Sequence, residues 1–299
     1  MLMAIDPVRE LGAIRLLLKD QLDEPIELRL APLVEMKVRF DKSDVFVPRR
    51  LPPPTTAPSY NFSAHIYMKE IEGAPMLLVA RASGDGAGLN LKLPRGGYRL
   101  FFAGDNVIME PTEFELRDKP VDVGTIRPKM HKLAHFIGKP PPEWNITAAR
   151  GISKDTKLSD LRGKVVVVEF WGVGCGICVA ASLPELKKYV REHPAARDRL
   201  VVLAFHDPGM ESLEGLDNYL PKFEEKFWGK EPLPFPILLD STGTTVDRWG
   251  IFMYPSNVVI DQEGRVVQLS HSHHMLNAAL DYLLRPPTPL SSSQPVPGN

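Results

Sequence analysis

Through much of the first 130 residues apolar and polar positions alternate with a period of two, in the short runs "IELRL", "VEMKVRF", "NFSAHIYM", "MLLVARA", "LNLKL", "YRLFFAG" and "FELRD". That is the period of a strand with one face in a core and the other in water. Pro, Gly, Asp and Asn punctuate the runs, so the pattern predicts an antiparallel β-sandwich. The tract "RLPPPTTAPS" (50–59) does not suit a central strand and predicts a long exposed loop or crossover. Ahead of the sandwich, "PVRELGAIRLLLKD" (7–20) carries Val8, Leu11, Ile14 and Leu18 at helical spacing behind Asp6 and Pro7. A short amphipathic helix, capped by Asp6, is expected there.

After "VDVGTIRP" the texture changes to alternating β and α. "KVVVVEFW" (164–171) is a continuous apolar run suited to a strand buried on both faces. A helix over 178–192 is marked by Leu183, Leu186 and Tyr189, with a kink expected at Pro184. "LVVLAF" (200–205), "FPILLD", "SNVVID" and "RVVQLS" predict further strands. "SLEGLDNYLPKFEEKFW" (212–228) predicts a helical stretch interrupted at Pro221, and 275–284 a closing helix. The expected division is a helix and connector over 1–24, a β-sandwich over 25–130, an α/β domain over 131–285, and a Pro/Ser-rich disordered tail over 286–299.

Composition narrows the function classes. With 36 basic and 37 acidic residues the formal net charge is -1, and neither sign forms a long block. Nothing here points to nucleic acid or to an anionic membrane surface. No apolar run approaches the roughly 18 residues of a membrane helix, so no membrane insertion is expected, and "MLMAIDPVRE" lacks the basic and apolar regions of a signal peptide. No cofactor or metal is expected.

The two cysteines, Cys175 and Cys178, sit in "FWGVGCGIC" directly after the apolar strand. Three readings fit such a pair: a redox couple, half of a metal site, or two buried small residues. A strand that ends in Cys-x-x-Cys and passes into a helix has a particular chemistry. Unpartnered amides and the helix dipole stabilise a thiolate at the first cysteine, and the second comes round the first turn within reach of a small-ring disulfide. A zinc site needs about four ligands, and there is no second cysteine pair. Covalent haem attachment calls for His where Val179 stands.

The segment "FIGKPPPEWNI...TKLSDLRGKVVVVEFWGVGCGIC" resembles the TlpA/ResA group of thioredoxin-like proteins, with its proline-rich lead-in, hydrophobic strand, "FW" and CxxC. "WGIFMYPSNVVIDQEGRVV" (249–267) is similar to the same group's second signature, a proline followed by a strand and hairpin. The resemblance spans about residues 137 to 285 and implies a thioredoxin-like fold, a mixed central sheet flanked by helices. It implies a thiol-disulfide oxidoreductase with Cys175 as nucleophile, Cys178 as resolving thiol, and Pro255 after a cis peptide bond facing the pair. Tyr254 would offer its backbone to an extended substrate, with Gly174 and Trp171 beside it. Glu169 matches the buried acid of thioredoxin and would take the proton of Cys178 during resolution. Implied partners are a disulfide-containing protein substrate and a redox-donor protein, in an extracytoplasmic, cell-envelope setting. Gly174 replaces the usual Trp before the first cysteine and Ile177 the usual Pro between the two, which leaves the redox poise open. In the first domain, "LKLPRGGYRLFFAGD" (91–105) resembles the hairpin of carboxypeptidase-regulatory-like and other immunoglobulin-like domains.

Two competing functions are weighed. A redox-silent thioredoxin-fold binding module, with the CxxC as a staple, is the first alternative. Peroxidase chemistry is a distant third, because Val168 and Gly172 stand where a peroxiredoxin pattern needs Pro and Thr. His271, His273 and His274 in "HSHHM" read as exposed or capping histidines rather than ligands. His206 and Asp207 read by default as strand-end packing, although a base or charge there would tune the pair.

Overall fold

A computed structural model describes residues 2–15, 25–45, 62–69, 77–83, 86–104, 107–108, 111–270 and 273–285. The chain divides into two compact units, the second beginning at Phe136. The loop expected over 50–59, the tail over 286–299 and His271 lie outside the described residues, as do the side chains of His273 and His274.

The first unit is all-β. Its strands are β1 (Leu2–Asp6), β2 (Leu11–Arg15), β3 (Ala31–Pro32), β4 (Val34–Phe40), β5 (Phe62–Met68), β6 (Leu78–Ser83), β7 (Gly88–Leu93), β8 (Gly96–Gly104), β9 (Val107–Ile108), β10 (Thr112–Leu116), β11 (Val121–Ile126) and β12 (Lys129–Met130). Two sheets, ordered β10-β8-β5-β6 and β11-β4-β7, carry the core. Strand β4 shows how the pattern selects the fold: Val34, Met36, Val38 and Phe40 are buried while Glu35, Lys37 and Arg39 between them are exposed. The inward set joins Ala64 and Ile66 of β5 and Tyr98, Leu100 and Phe102 of β8 in one apolar cluster.

Three expectations for this unit are corrected. Residues 7–15 of the stretch expected to be a helix do not form one, and 16–20 lie outside the described residues: β1 and β2 pair as an antiparallel hairpin with Leu2 opposite Arg15 and Asp6 opposite Leu11. The Asp-Pro signal serves a turn as well as it serves a helix start. Asp6 Oδ1 accepts the N–H groups of Val8 and Arg9, each at 3.0 Å, and the chain then reverses through Glu10 at a left-handed φ of 54°. "IELRL" lies in no strand, apart from the neighbouring two-residue β3. Finally the unit is not purely antiparallel, because "VDVGTI", which is not among the predicted strands and precedes the expected boundary, is β11 and runs parallel to β4.

The second unit holds β13 (Ala148–Arg150), β14 (Val165–Trp171), α1 (Leu183–Glu192), β15 (Leu200–His206), α2 (Leu213–Asp217), α3 (Leu220–Lys226), β16 (Ile237–Leu239), α4 (Thr244–Trp249), β17 (Ser256–Ile260), β18 (Val266–Ser270) and α5 (His273–Leu283). Six strands form one sheet in the order β13-β16-β15-β14-β17-β18. Strands β14, β15 and β16 run parallel, and the remaining pairings are antiparallel. All seven residues of β14 are buried, as expected of a strand covered on both faces. Val165, Val167 and Trp171 belong to the cluster built with Leu183 and Leu186 of α1 and Leu276 and Leu280 of α5. On the opposite face Phe170 meets Phe205 of β15 and Trp249 of α4.

The kink expected at Pro184 takes a specific form. Residues Cys178–Ser182 make a π-turn, and the N–H of Leu183 donates to the carbonyl of Cys178, five residues back. Proline has no N–H for the Ala180 carbonyl and its ring crowds that oxygen, so a wider turn relieves both problems. In the 212–228 stretch the break falls at Asn218–Tyr219, and Pro221 sits in the first turn of α3, where its missing N–H costs nothing.

The alternation along β4 is testable. Met36→Ala is expected to lower the free energy of unfolding by about 2–5 kcal/mol, and Lys37→Ala by under about 0.5 kcal/mol, in urea titrations of the two variants.

Candidate active site

The geometry of β14 decides what meets the cysteines. Side chains alternate across a strand, so Glu169 shares the face of Val167 and Trp171, the face that carries Cys178 in its cluster. Beyond Trp171 the chain turns, with the Cys175 N–H donating to Gly172 O at 3.0 Å, and enters a helix at residue 176. Cys175 therefore stands at the helix start, half-buried, while Cys178 one turn on is sealed at 0% exposure. The two are joined by a disulfide with Cα atoms 5.2 Å apart. The Cys178 N–H points at Cys175 Sγ from 3.2 Å, so a helix amide already addresses the sulfur that would carry charge once reduced.

Glu169 is fully buried and its position is electrostatically costly. Oε1 accepts the hydroxyl hydrogen of Ser182, four residues beyond Cys178, while Oε2 has no hydrogen-bond partner. Ser182 thus ties the carboxyl to the helix that bears Cys178. Asn257, opposite Glu169 in the β14–β17 register, lies near the carboxyl but outside hydrogen-bond geometry. Burial pushes the Glu169 pKa up to about 8, and the Ser182 hydroxyl and Asn257 amide pull only weakly the other way.

The peptide between Tyr254 and Pro255 is cis. Because Phe170 pairs with Ser256, the first residue of β17, the Tyr254–Pro255 segment lies just beyond the antiparallel ladder, next to the end of β14 from which the turn to Cys175 departs. Tyr254 packs against the same cluster, and burial together with the nearby Asp207 carboxylate pushes its phenol up to about 12. Gly174, Gly176 and Ile177 are exposed around the pair, Ile177 at 63%. A Cβ at Gly174 would meet nothing within 4 Å. Trp171 departs from expectation as a surface for substrate. It is fully enclosed, edge-to-face with His206 at 4.7 Å and with Trp228 at 6.4 Å, because its strand ends beneath rather than beside the open turn.

Two polar neighbours, Ser182 and Asn257, are not singled out by the sequence, and two others, His206 and Asp207, read there by default as strand-end packing. Ser182 had a signal in its spacing of four from Cys178. Asn257 had one as an amide inside an apolar strand two residues past Pro255. Among the described residues no group of three or more His, Cys, Asp and Glu is arranged to hold a metal ion.

A buried strand ends in a CxxC at a helix start, with a cis-proline segment near the same end of the sheet and a buried acid on the same strand, in a thioredoxin-like fold, and the relatives below make it a disulfide oxidoreductase. Residues 137–275 match the Redoxin family model. The second unit is accordingly similar to a redoxin domain, and its curated relatives are of the TlpA/ResA-like type. The chain is 26% identical over 132 residues to the thiol-disulfide oxidoreductase ResA of Bacillus thuringiensis subsp. konkukian, covering 44% of this chain and 68% of ResA. It is 27% identical over 147 residues to the thioredoxin-like protein YneN of Bacillus subtilis, covering 49% and 78%. The solved structure of the exposed lipoprotein thioredoxin Etrx1 of Streptococcus pneumoniae aligns with a TM-score of 0.34 at 30% identity, covering 44% of this chain and 90% of that one.

The raised pKa of Glu169 has a consequence for stability. The folded state holds this proton up to about pH 8, whereas an unfolded chain releases it near 4.5, so folding stability drains away as pH rises between those values. Glu169→Gln removes that loss. Its melting temperature relative to the parent is expected to climb from pH 5 to pH 8, by an amount equivalent to a few kcal/mol at most. Paired thermal melts of the oxidised proteins check it, and a difference that is flat with pH would contradict the burial of this charge.

Proposed function

We propose that the chain exchanges disulfides with a protein partner through Cys175 and Cys178. The observation that carries the reading is the unequal access of the two sulfurs: a half-buried sulfur at a helix start, addressed by an amide, backed by one that solvent does not reach. In the reduced protein the Cys175 thiolate attacks a partner disulfide, forming a mixed disulfide and releasing one partner sulfur as a thiolate. Cys178, after passing its proton to the Glu169 carboxylate, attacks Cys175 Sγ and displaces the partner's second sulfur. The partner gains two electrons and the pair closes to the Cys175–Cys178 disulfide. A redox-donor protein then returns two electrons to the pair.

The remaining roles follow the loops. Tyr254 and Pro255 would lie along an extended partner segment and Tyr254 would offer backbone groups to it, while exposed Gly174 leaves the approach to Cys175 open. A carboxyl held near pH 8 by burial suits a proton acceptor working close to neutrality, since acid–base catalysis is most effective when the pKa lies near the working pH. We also assign the protein to an extracytoplasmic setting, supported by the likeness to the TlpA/ResA group. No helix among the described residues is long and apolar enough to cross a membrane.

Turnover of an insulin-type substrate tests the exchange directly. Cys175→Ser is expected to abolish it, and Cys178→Ser to accumulate a mixed disulfide visible on a non-reducing gel; wild-type turnover no better than Cys175→Ser would end the proposal. For the acid, single-turnover release of the mixed disulfide should be about 10²-fold or more slower in Glu169→Gln near neutral pH, and should lose the pH dependence centred near 8. An unchanged profile removes Glu169 as the acceptor.

A further inference from the structure

The end of β15 grips the three residues that lead into Cys175. His206 pairs in parallel register with Trp171, and its ring is sealed, with the residue 1% exposed. Its Nε2 lies 3.1 Å from the Val173 N–H, which has no choice but to donate. Its Nδ1 lies 2.9 Å from the Asp207 carbonyl oxygen and 3.3 Å from Asp207 Oδ1, both acceptors. These partners dictate a neutral imidazole with the proton on Nδ1 and a bare Nε2. Asp207 adds two holds of its own. Its N–H donates to Trp171 O at 2.7 Å, and its Oδ2 lies so close against Gly172 that a Cβ there would collide with it. From this clamp the turn closes through Cys175 N–H on Gly172 O.

We infer that His206 and Asp207 are positioning residues for Cys175: the imidazole fixes the turn through Val173, and the adjacent carboxylate sets a negative charge beside it. The inference rests on the reading of Cys175 as the reactive thiol. With the Val173 amide held, Cys175 Sγ stays over the Cys178 N–H, where a thiolate is best stabilised. Without Nε2 the amide is left partnerless at a partly buried position and the turn relaxes to find another acceptor. The Asp207 carboxylate acts in the opposite sense, since a negative charge next to the turn disfavours a thiolate. Burial lowers the His206 pKa, the Asp207 hydrogen bonds and charge oppose this, and the same Asp207 carboxylate also reaches Tyr254 of the cis-proline loop. The imidazole therefore remains an acceptor at neutral pH. In acid, a second proton on Nε2 would set N–H against N–H.

The test measures the pH dependence of Cys175 alkylation by iodoacetamide in a Cys178→Ser background, where one thiol remains. His206→Leu is expected to move the midpoint upward and slow alkylation at pH 7 by roughly threefold or more; His206→Gln, whose amide oxygen can reach the Val173 N–H, should return it to within about twofold. Asp207→Asn should move the midpoint the other way. A purely structural His206 would lower the melting temperature of His206→Leu and leave the midpoint where it was, which overturns the inference. Where His206→Leu fails to fold, Asp207→Asn decides, and an unmoved or raised midpoint counts against the clamp. Insulin reduction by the wild type is scored separately, so that its absence sinks the exchange reading while the alkylation midpoints still judge the clamp.

Discussion

The architecture of the site depends on the two ladders that hold β14. This strand is hydrogen-bonded on one side to parallel β15 through seven residue pairs and on the other to antiparallel β17 through five. Because it has no free edge, its end point is fixed by its neighbours as much as by its own residues. Trp171 is level with His206 on one side, and Phe170 is level with Ser256 on the other. Three separate stretches of chain therefore surface at the same end of the sheet: the turn to Cys175, the His206–Asp207 corner and the cis-proline loop. A slip of one residue in either ladder would turn Glu169 to the far face and separate all three.

That placement carries an internal opposition. The face of β14 that meets Cys178 is otherwise hydrocarbon, yet it holds a carboxyl with one unpartnered oxygen. Such a group stays folded by keeping its proton, and this is why its pKa climbs toward neutrality. The cost is modest while the acid is protonated and grows as it ionises. The same desolvation that weakens the fold at high pH is what gives the carboxyl a useful affinity for a proton.

Much of the second unit was legible because its signals are local. A run of four valines, a CxxC at a strand end and "MYPSNVVID" each carry their meaning within a few residues. The first unit was less so. Asp-Pro opens a helix or a hairpin alike, and the spacing of Val8, Leu11 and Ile14 fits a helix face as well as the β1–β2 hairpin; what decides is pairing with β3 and the close approach of Leu33 and Pro94 to Gly12, where a Cβ would collide with both. The parallel β11 was missed for the same reason, since nothing inside "VDVGTI" says which strand it will join. At the site, the cysteines and Glu169 could be found by offset from the motif. Trp171 reads from the sequence as a core and site-wall aromatic beside the substrate, because sequence order does not tell whether a strand's last residue lies beside a cleft or under it.

His206 marks the limit of that local reading. Its residue type at the end of an apolar strand suits packing, and packing is part of what it does against Trp171. Its second role appears only when β15 is laid level with β14, for the acceptor it offers is used by a backbone amide 33 residues earlier. Two parallel strands of equal length, each ending just before a turn, place the last side chain of one against the first free amides of the other. Among the described residues this is the arrangement that converts an ordinary strand ending into control over the geometry of a cysteine that β15 does not itself carry.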